Sequence, residues 1–212
     1  MKNILFDLDG TINDSGPGIK RSAIKTLEKM NLPIIPYEKL NFFVGPPLRD
    51  CFRLCGVPEE RIEEAARIYH DIYDDTGKYD CSPYPGIKDF LTDMNSKGFN
   101  LYICTSKGEP LAIDILHHLK LDIYFKKIYG ASLDGTHALK ADIIHQCLIE
   151  NNIEKDAIMI GDTYLDIKGA NKNSLPSIGV TWGYGDDDSM LKEGALKLVS
   201  TVDELEKTLL SL

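Results

Sequence analysis

The chain has 212 residues, of which 43% are hydrophobic and 27% are charged, and its formal net charge is −9. This length suits one medium domain, or one domain with a smaller insertion, and the apolar content is enough for a buried core. The negative charge argues against nucleic-acid polymers and anionic membranes as partners, because both favour basic surfaces.

The five cysteines are odd in number and form no Cys-x-x-Cys pair, which fits reduced thiols in the cytoplasm better than a disulfide framework. The first apolar run is too short and too acidic for a signal peptide. No run of about 18 uncharged apolar residues occurs, so we expect no membrane span. We expect a cytoplasmic protein that is a monomer or a weak homodimer.

Short apolar runs, each followed by a helical pattern, recur along the chain. In order, strands are predicted at 3–6, 100–104, 128–131, 157–161 and 177–180, and helices at 87–97, 110–118, 141–151, 164–171 and 201–212. Four of the five runs are nearly all apolar rather than alternating, as expected of buried parallel strands. This alternation predicts an α/β fold with a doubly wound, mostly parallel, Rossmann-like sheet.

Residues 15–83 interrupt this alternation of strands and helices. They contain no convincing strand, only helical patterns at 18–30, 48–55 and 59–76, and several prolines separate these patterns. We interpret the segment 15–83 as an inserted all-helical cap domain, and 1–14 with 84–212 as the α/β catalytic core. The flanking segments are rich in Gly, Pro or Ser, which suits a hinge.

Polar residues follow three of the predicted strands, at the edge where open α/β sheets bind ligands. The first strand is followed by Asp7, Asp9 and Thr11, the second by Thr105, Ser106 and Lys107, and the fourth by Asp162 and Asp166. Two carboxylates about 4 Å apart repel by roughly 4 kcal/mol at an effective dielectric of about 20. A hard cation would offset this repulsion, and oxygen ligands suit Mg²⁺. The pattern predicts a magnesium site.

These motifs, in this order, resemble those of the haloacid dehalogenase superfamily of phosphohydrolases. The shared features are DLDGT at 7–11, a Thr at the next strand end, a Lys at 140 and GDxxxD at 161–166. The insertion after the first strand resembles the helical-cap subgroup that includes phosphoglycolate phosphatase. The resemblance implies a Mg²⁺-dependent phosphatase that hydrolyses a small phosphorylated metabolite, similar to phosphoglycolate, through an aspartyl phosphate.

By this resemblance, Asp7 is the nucleophile that takes the phosphoryl group. Asp9 protonates the leaving oxygen and then activates the attacking water, and its backbone carbonyl is a metal ligand in the family. Lys140 reaches the nucleophile and the phosphoryl oxygens. Asp162 binds the metal directly, whereas Asp166 is either a further ligand or a group that orients the metal's waters and Lys140.

The expected phosphoryl contacts surround this centre. Thr105 supplies a hydroxyl, and the Ser106 amide is expected at the start of the next helix. Gly10, Thr11 and Lys107 complete the expected phosphate-binding set.

In the cap, residues 41–52 resemble the substrate-facing segment of phosphoglycolate phosphatase-like proteins, and also that of related pyrophosphatases and nucleotidases. Arg49 could pair with a substrate carboxylate or a second phosphate, while Phe42 and Phe43 could stack on a base. A 5'-nucleotidase, a pyrophosphatase or a phosphosugar mutase therefore remain alternatives. A dehalogenase is disfavoured, because dehalogenases lack an acid at the position of Asp9.

A different class of protein uses similar residues. Phospho-accepting receiver domains also place an acid cluster, a Thr or Ser and a Lys on a doubly wound sheet, but this chain with its insertion is too long for one.

Two further motifs resemble catalytic motifs but lack residues or charges that the chemistry needs. LDGT recurs at 133–136 without a preceding acid, and the Cys-x5-Arg pattern at 55–61 holds two glutamates that would repel a phosphate.

Overall fold

The computed structural model describes residues 2–132 and 139–212. Contacts divide the chain into two compact units. The first, which we call the α/β unit, is formed by the residues up to Asn13 together with Pro83–Leu212, and the second, the helical unit, is Asp14–Ser82. The second LDGT sequence, at 133–136, lies outside the described residues.

A six-stranded parallel sheet forms the centre of the α/β unit. Its strands are β1 (Asn3–Phe6), β4 (Asn100–Gly108), β5 (Lys127–Ala131), β6 (Ala157–Gly161), β7 (Ser177–Val180) and β8 (Lys197–Val199). The two-residue strands β2 (Asn13–Asp14) and β3 (Ser82–Pro83) pair separately. The sheet order is β5-β4-β1-β6-β7-β8, and its neighbouring strands pair in parallel. This confirms the predicted doubly wound α/β class.

Burial on both faces explains the continuous apolar runs. In β1, Ile4 and Phe6 belong to one core cluster while Leu5 belongs to the other. In β6, Ile158 and Met159 divide in the same way. Successive side chains of a strand point to opposite faces, so each strand needs apolar residues at every position when helices cover both sides.

Six helices of the α/β unit are found in the described residues. They are α4 (Ile87–Ser96), α5 (Glu109–Leu119), α6 (Lys140–Glu150), α7 (Tyr164–Lys172), α8 (Asp187–Glu193) and α9 (Val202–Leu210). Helix α8 and the edge strand β8 were not predicted from the sequence, and both are short. None of the helices in the described residues is long and apolar enough to cross a membrane.

The second predicted strand was too short. Instead of ending at Cys104, β4 continues to Gly108, and its register with β5 shifts between these two residues. Thr105, Ser106 and Lys107 therefore lie inside the strand. The expectation that the Ser106 amide begins the next helix is wrong, because α5 begins at Glu109.

The helical unit contains α1 (Gly16–Lys29), α2 (Leu48–Leu54) and α3 (Ile62–Asp75), joined by short 3-10 turns. Aromatic rings form part of its core: the ring of Phe52 lies 5.3 Å from that of Phe43 and 6.0 Å from that of Tyr69. The amphipathic pattern noted at 59–76 resolves into a 3-10 turn at Glu59–Arg61 followed by α3. The inserted segment is thus helical apart from its paired ends.

Candidate active site

The topology brings together the acidic motifs that follow the first and the fourth predicted strands. Strands β1 and β6 are neighbours, and Phe6 pairs with Ile160. The Asp7 N–H donates to the Ile160 carbonyl at 2.9 Å. In sequence order the six strands of this sheet lie 3-2-1-4-5-6, so β1 and β6 flank the point where the direction of winding reverses. Ligands of open α/β sheets bind at this point.

Three carboxylates meet there. Oxygen atoms of Asp7, Asp162 and Asp166 lie within 4.8 Å of one another, and all three residues are buried. Asp7 follows β1, Asp162 follows β6, and Asp166 lies in the first turn of α7. The predicted convergence of these three acids at one edge is therefore present in the structure.

Lys140, the first residue of α6, neutralises part of this charge. Its Nζ lies 2.6 Å from Asp7 Oδ1 and 2.8 Å from Asp166 Oδ1, and it donates to the Cys104 carbonyl at 2.9 Å. Burial alone would lower the pKa of Lys140, but the ion pairs with Asp166 and Asp7 outweigh burial and raise it. Lys140 is therefore a fixed ammonium, and one ammonium among three carboxylates leaves negative charge in excess.

Asp162 is held by neutral donors. Its Oδ1 accepts from the Thr11 hydroxyl at 3.2 Å, and its Oδ2 accepts from the Tyr184 N–H at 2.9 Å. Burial, with added repulsion from Asp166 and Asp7, raises the pKa of Asp162 to about 8. A buried carboxylate cluster that is only partly neutralised, with hard oxygen donors, fits a divalent cation such as Mg²⁺.

Gly10 makes room for this arrangement. Its φ is +84°, in the left-handed region, and a Cβ at this position would lie 2.1 Å from Asp162 Oδ2. The Gly10 N–H donates to the Asn13 carbonyl, and the Thr11 N–H to the Leu8 carbonyl at 3.4 Å. Gly10 and Thr11 were predicted as phosphate-binding residues, and their backbone amides are engaged in the turn itself.

The two oxygens of Asp166 face different groups. Oδ2 accepts from the backbone N–H of Thr163 at 3.0 Å and from its hydroxyl at 2.8 Å, which forms a capping box at the start of α7. Oδ1 faces Lys140. Burial raises the pKa of Asp166, against the lowering effect of Lys140.

Asp9, the fourth acid, pairs with a different lysine. The Lys107 Nζ lies 2.9 Å from Asp9 Oδ2, and both side chains are largely buried. Thr105 is buried, and its Oγ1 accepts from the Lys107 N–H at 3.3 Å. Ser106, by contrast, is exposed. Lys107 was predicted as a phosphate ligand, and its ion pair with Asp9 was not predicted.

One functional segment was missed. The loop after β7 reaches the same edge: the Tyr184 amide binds Asp162, and the Trp182 indole N–H donates to the Thr11 carbonyl at 3.1 Å. A signal was available, because TWGYG follows the fifth predicted strand and places two glycines at a ligand-binding edge.

The predicted cap residues belong to the helical unit. The half-exposed Arg49 donates to both carboxylate oxygens of Glu63, at 2.6 and 2.8 Å. Phe43 is buried, whereas Phe42 is half-buried. Cys55, in the Cys-x5-Arg pattern, has its pKa raised to about 11 by burial. A raised pKa opposes thiolate formation, so Cys55 lacks the reactivity of a phosphatase nucleophile.

Comparisons with known proteins agree with this geometry. A family model described as haloacid dehalogenase-like hydrolase matches residues 4–180. A 5'-nucleotidase from Pseudomonas aeruginosa is 37% identical, with 89% of this chain and 86% of the relative covered. The tyrosine-protein kinase PtkA of Mycobacterium tuberculosis is 34% identical (97% and 72% covered). A phosphoglycolate phosphatase from Agrobacterium fabrum is 33% identical (86% and 81% covered).

Solved structures show the same fold. The crystal structure of a predicted phosphatase from Clostridium acetobutylicum is 41% identical and has a TM-score of 0.92, with 100% of this chain and 99% of the other covered. The family match spans most of the chain and includes the acid triad, Lys140 and the helical insertion. The chain belongs to the haloacid dehalogenase-like hydrolases and is a phosphoric monoester hydrolase of that family.

Proposed function

We propose that this enzyme is a Mg²⁺-dependent phosphatase that hydrolyses a small phosphomonoester through an aspartyl phosphate on Asp7. The observation that carries the proposal is the ion pair of Lys140 with Asp7, at 2.6 Å, inside the acid triad. Asp7 keeps 8% of its surface exposed, whereas Asp162 keeps 1% and Asp166 none. Of the three acids, Asp7 is therefore the most accessible to an incoming phosphoryl group.

Asp7 and Asp9 divide the chemistry between them. An Asp7 oxygen forms a bond to phosphorus while the bond from phosphorus to the leaving oxygen breaks, and Asp9 gives that oxygen a proton. A water then attacks phosphorus, Asp9 takes the proton of that water, and the bond to Asp7 breaks to release phosphate. Lys107 holds Asp9 in place at 2.9 Å.

The metal site would use Asp7, Asp162 and the backbone carbonyl of Asp9. The bound cation would neutralise charge on the transferring phosphoryl group. Asp166 is paired with the Lys140 ammonium, whereas the hydrogen bonds to Asp162 come only from neutral donors. This difference favours the orienting role for Asp166. Its contact with Lys140 holds the ammonium against Asp7.

The phosphoryl group would meet the Thr105 hydroxyl and the Lys140 ammonium. Thr105 is buried beside Lys107, whose amide it accepts, so its oxygen is fixed and preorganised for a charged ligand. Because the Gly10 and Thr11 amides bond within their own turn, we assign these two residues to the support of Asp162 instead. Ser106 and Arg49 remain candidates for contacts to the substrate.

The names of the relatives support a proposal for the substrate class. One relative named phosphoglycolate phosphatase is 33% identical to this chain, and one named 5'-nucleotidase is 37% identical. We therefore propose a small phosphorylated metabolite, with phosphoglycolate as the first candidate and a nucleoside 5'-monophosphate as the second. The test is phosphate release from a panel of phosphorylated metabolites with Mg²⁺, in which one ester should be preferred by its kcat/KM.

The fate of the phosphoryl group separates the competing classes. A phosphatase loses it to water rapidly, a receiver domain keeps it, and a mutase returns it to a sugar. Because one relative is named a tyrosine-protein kinase, labelled ATP with a protein acceptor belongs in the same experiment. Label from the preferred ester that appears as inorganic phosphate supports the proposal. Label from either donor that is retained on the chain or found on an acceptor refutes it.

A further inference from the structure

We infer that the loop 181–185, which follows β7, is a positioning element for the metal ligand Asp162, and that Trp182 and Gly183 within it set the affinity for the divalent cation. The inference rests on the metal site proposed above. The loop contributes no carboxylate of its own to the acid triad. Its contacts instead orient the Asp162 carboxylate by a hydrogen bond and by close packing.

The first contact orients the carboxylate. The Tyr184 N–H donates to Asp162 Oδ2 at 2.9 Å, while the Thr11 hydroxyl donates to Oδ1 at 3.2 Å. With one donor on each oxygen, the plane of the carboxylate is set by two parts of the chain far apart in sequence. Hydrogen bonds of this kind orient metal ligands and commonly change metal affinity by about 10- to 100-fold.

The second contact is steric. A Cβ on Gly183 would lie 2.4 Å from both the Cβ and the Oδ2 of Asp162, and 2.5 Å from the Gly10 carbonyl oxygen. A Cβ on Gly185 would lie 1.7 Å from the Asp162 carbonyl oxygen. Real Cβ atoms do not approach other atoms so closely, and the nearby groups include backbone. A side chain at either position would therefore displace Asp162 or the turn that carries Gly10.

The third contact anchors the loop. The Trp182 indole N–H donates to the Thr11 carbonyl at 3.1 Å, and its ring lies 6.4 Å from that of Tyr84. The Tyr84 N–H in turn donates to the Ile12 carbonyl at 3.1 Å. Trp182 therefore ties the loop to the same turn whose Thr11 hydroxyl holds Asp162.

These contacts predict a metal-specific defect. Mg²⁺ demands near-ideal octahedral geometry at about 2.0–2.1 Å, so a ligand displaced by a few tenths of an ångström binds it poorly. Gly183→Ala should weaken Mg²⁺ binding at least about tenfold. Trp182→Phe keeps an aromatic ring but loses the donor to Thr11, and it should weaken binding by a smaller factor of about three or more.

The chain offers a matched control for the glycine substitution. Gly179 lies in β7, two residues before the loop, and the three atoms nearest to its Cβ would all belong to side chains, those of Leu198 at 2.5 Å and Met190 at 2.8 and 3.4 Å. Gly179→Ala should lower the melting temperature by overpacking without touching Asp162. Its Mg²⁺ affinity should equal that of the wild type.

The experiment is calorimetric titration of Mg²⁺ alone into the wild type and the three variants, each as the 212-residue chain, with melting temperatures recorded for each. Trp182 is the single tryptophan of the chain, so its fluorescence gives a second readout in all variants that retain it. Mg²⁺ should change the emission of the wild type, and Gly183→Ala should require a correspondingly higher concentration. Neither readout depends on turnover.

The outcomes separate this inference from the proposed function. Wild-type protein that does not bind Mg²⁺ refutes the proposed metal site and the inference with it. Wild-type binding with unchanged affinity in both Gly183→Ala and Trp182→Phe refutes the inference alone. Equal loss of affinity in Gly179→Ala and Gly183→Ala shows a general effect of destabilisation and also refutes it. If Gly183→Ala fails to fold, Trp182→Phe decides.

Discussion

At the scale of single residues, Asp162 shows how the acid cluster lowers the stability of the folded state when no metal is bound. Burial, together with Asp166 and Asp7, raises its pKa to about 8, whereas an unfolded Asp titrates near 3.9. Between about pH 4 and about pH 8 the folded state therefore binds more protons than the unfolded state, so the contribution of Asp162 to stability falls as the pH rises.

Asp162→Asn tests this relation. In chelator, the melting temperature of the wild type should fall between about pH 5 and about pH 8 more steeply than that of the variant, because the neutral amide removes one ionising group from the cluster. Thermal melts of both proteins across this range provide the measurement. Parallel curves would show that Asp162 is already ionised in the metal-free fold.

Asp7→Asn should abolish turnover while the fold remains intact. The substitution removes only the nucleophilic oxygen, and it also removes one of the like charges beside Asp162 and Asp166. We expect activity below about one per cent of the wild type and a melting temperature in chelator at least as high. Phosphate release measures the activity, and circular dichroism measures the fold and its melting temperature. Activity of more than a few per cent excludes Asp7 as the nucleophile.

At the scale of elements, several helices in the described residues end with a residue in the left-handed region, and α7 and α4 are two of them. Ser174 follows α7 with φ 56°, and the Leu175 N–H donates to the Ala170 carbonyl. Gly98 follows α4 with φ 83°, and the Phe99 N–H donates to the Met94 carbonyl. This pattern of hydrogen bonds favours glycine after the helix, because glycine has no Cβ penalty there.

Opposite substitutions at these sites should change stability in opposite directions. Ser174→Gly should stabilise the fold by roughly 0.5–1 kcal/mol, and Gly98→Ala should destabilise it by a similar amount. A Cβ at Gly98 meets nothing within 4 Å, so backbone strain alone is measured there. Urea unfolding of the two variants gives both values. A loss of stability in Ser174→Gly would contradict the interpretation.

The pair Arg49–Glu63 allows a test of substrate recognition. An exposed ion pair contributes only about 0.2–1 kcal/mol, so a substrate anion can compete for the Arg49 guanidinium. Arg49→Ala should raise KM at least about tenfold for a substrate with a second anion, equivalent to about 1.4 kcal/mol. Glu63→Gln is the matched control, because it removes the partner and keeps Arg49. The measurement is steady-state kinetics of both variants with two esters, one that carries a second anion and one that does not. Equal changes of KM in both variants would mean that Arg49 has only a structural role.

The elements that sequence could predict are those with a strong periodic signal. All five predicted strands are present, and the acids of DLDGT and GDxxxD lie where strand order places them. The edge strand β8 has three residues, too few for a periodic pattern. The position of Thr105 inside β4 depends on a register shift against β5, which pairing determines and local sequence does not.

The roles of the lysines illustrate the same limit at the site. Sequence order pointed to Lys140 near the nucleophile, and the structure places it 2.6 Å from Asp7. The ion pair of Lys107 with Asp9 and the contact of Tyr184 with Asp162 join segments about 100 and 22 residues apart. Such contacts follow from the way the sheet is assembled, so spacing along the chain did not predict them.

At the scale of the whole molecule, the proposed metal binding would be coupled to folding. The topology brings Asp7 after β1 and Asp162 after β6 to one point, and the cluster exists only in the folded chain. A ligand that binds only the folded state stabilises it by about 2.7 kcal/mol at a free concentration 100 times its Kd. For a chain of this size, that gain corresponds to a rise in melting temperature of roughly 5–10 °C.

Mg²⁺ should therefore raise the melting temperature of the wild type, while a chelator should lower it and abolish activity. Ca²⁺ should also stabilise the fold, because it shares the carboxylate ligands, but it should inhibit turnover because its larger and looser coordination misaligns the attack on phosphorus. Asp162→Asn is the control, since loss of this ligand should remove most of the Mg²⁺-dependent rise. Melting curves and phosphate release with Mg²⁺, Ca²⁺ or chelator test these expectations together. Full activity in excess chelator would require that Lys140 and Lys107 alone offset the charge of the four acids and the phosphoryl group, and the metal site would then be wrong.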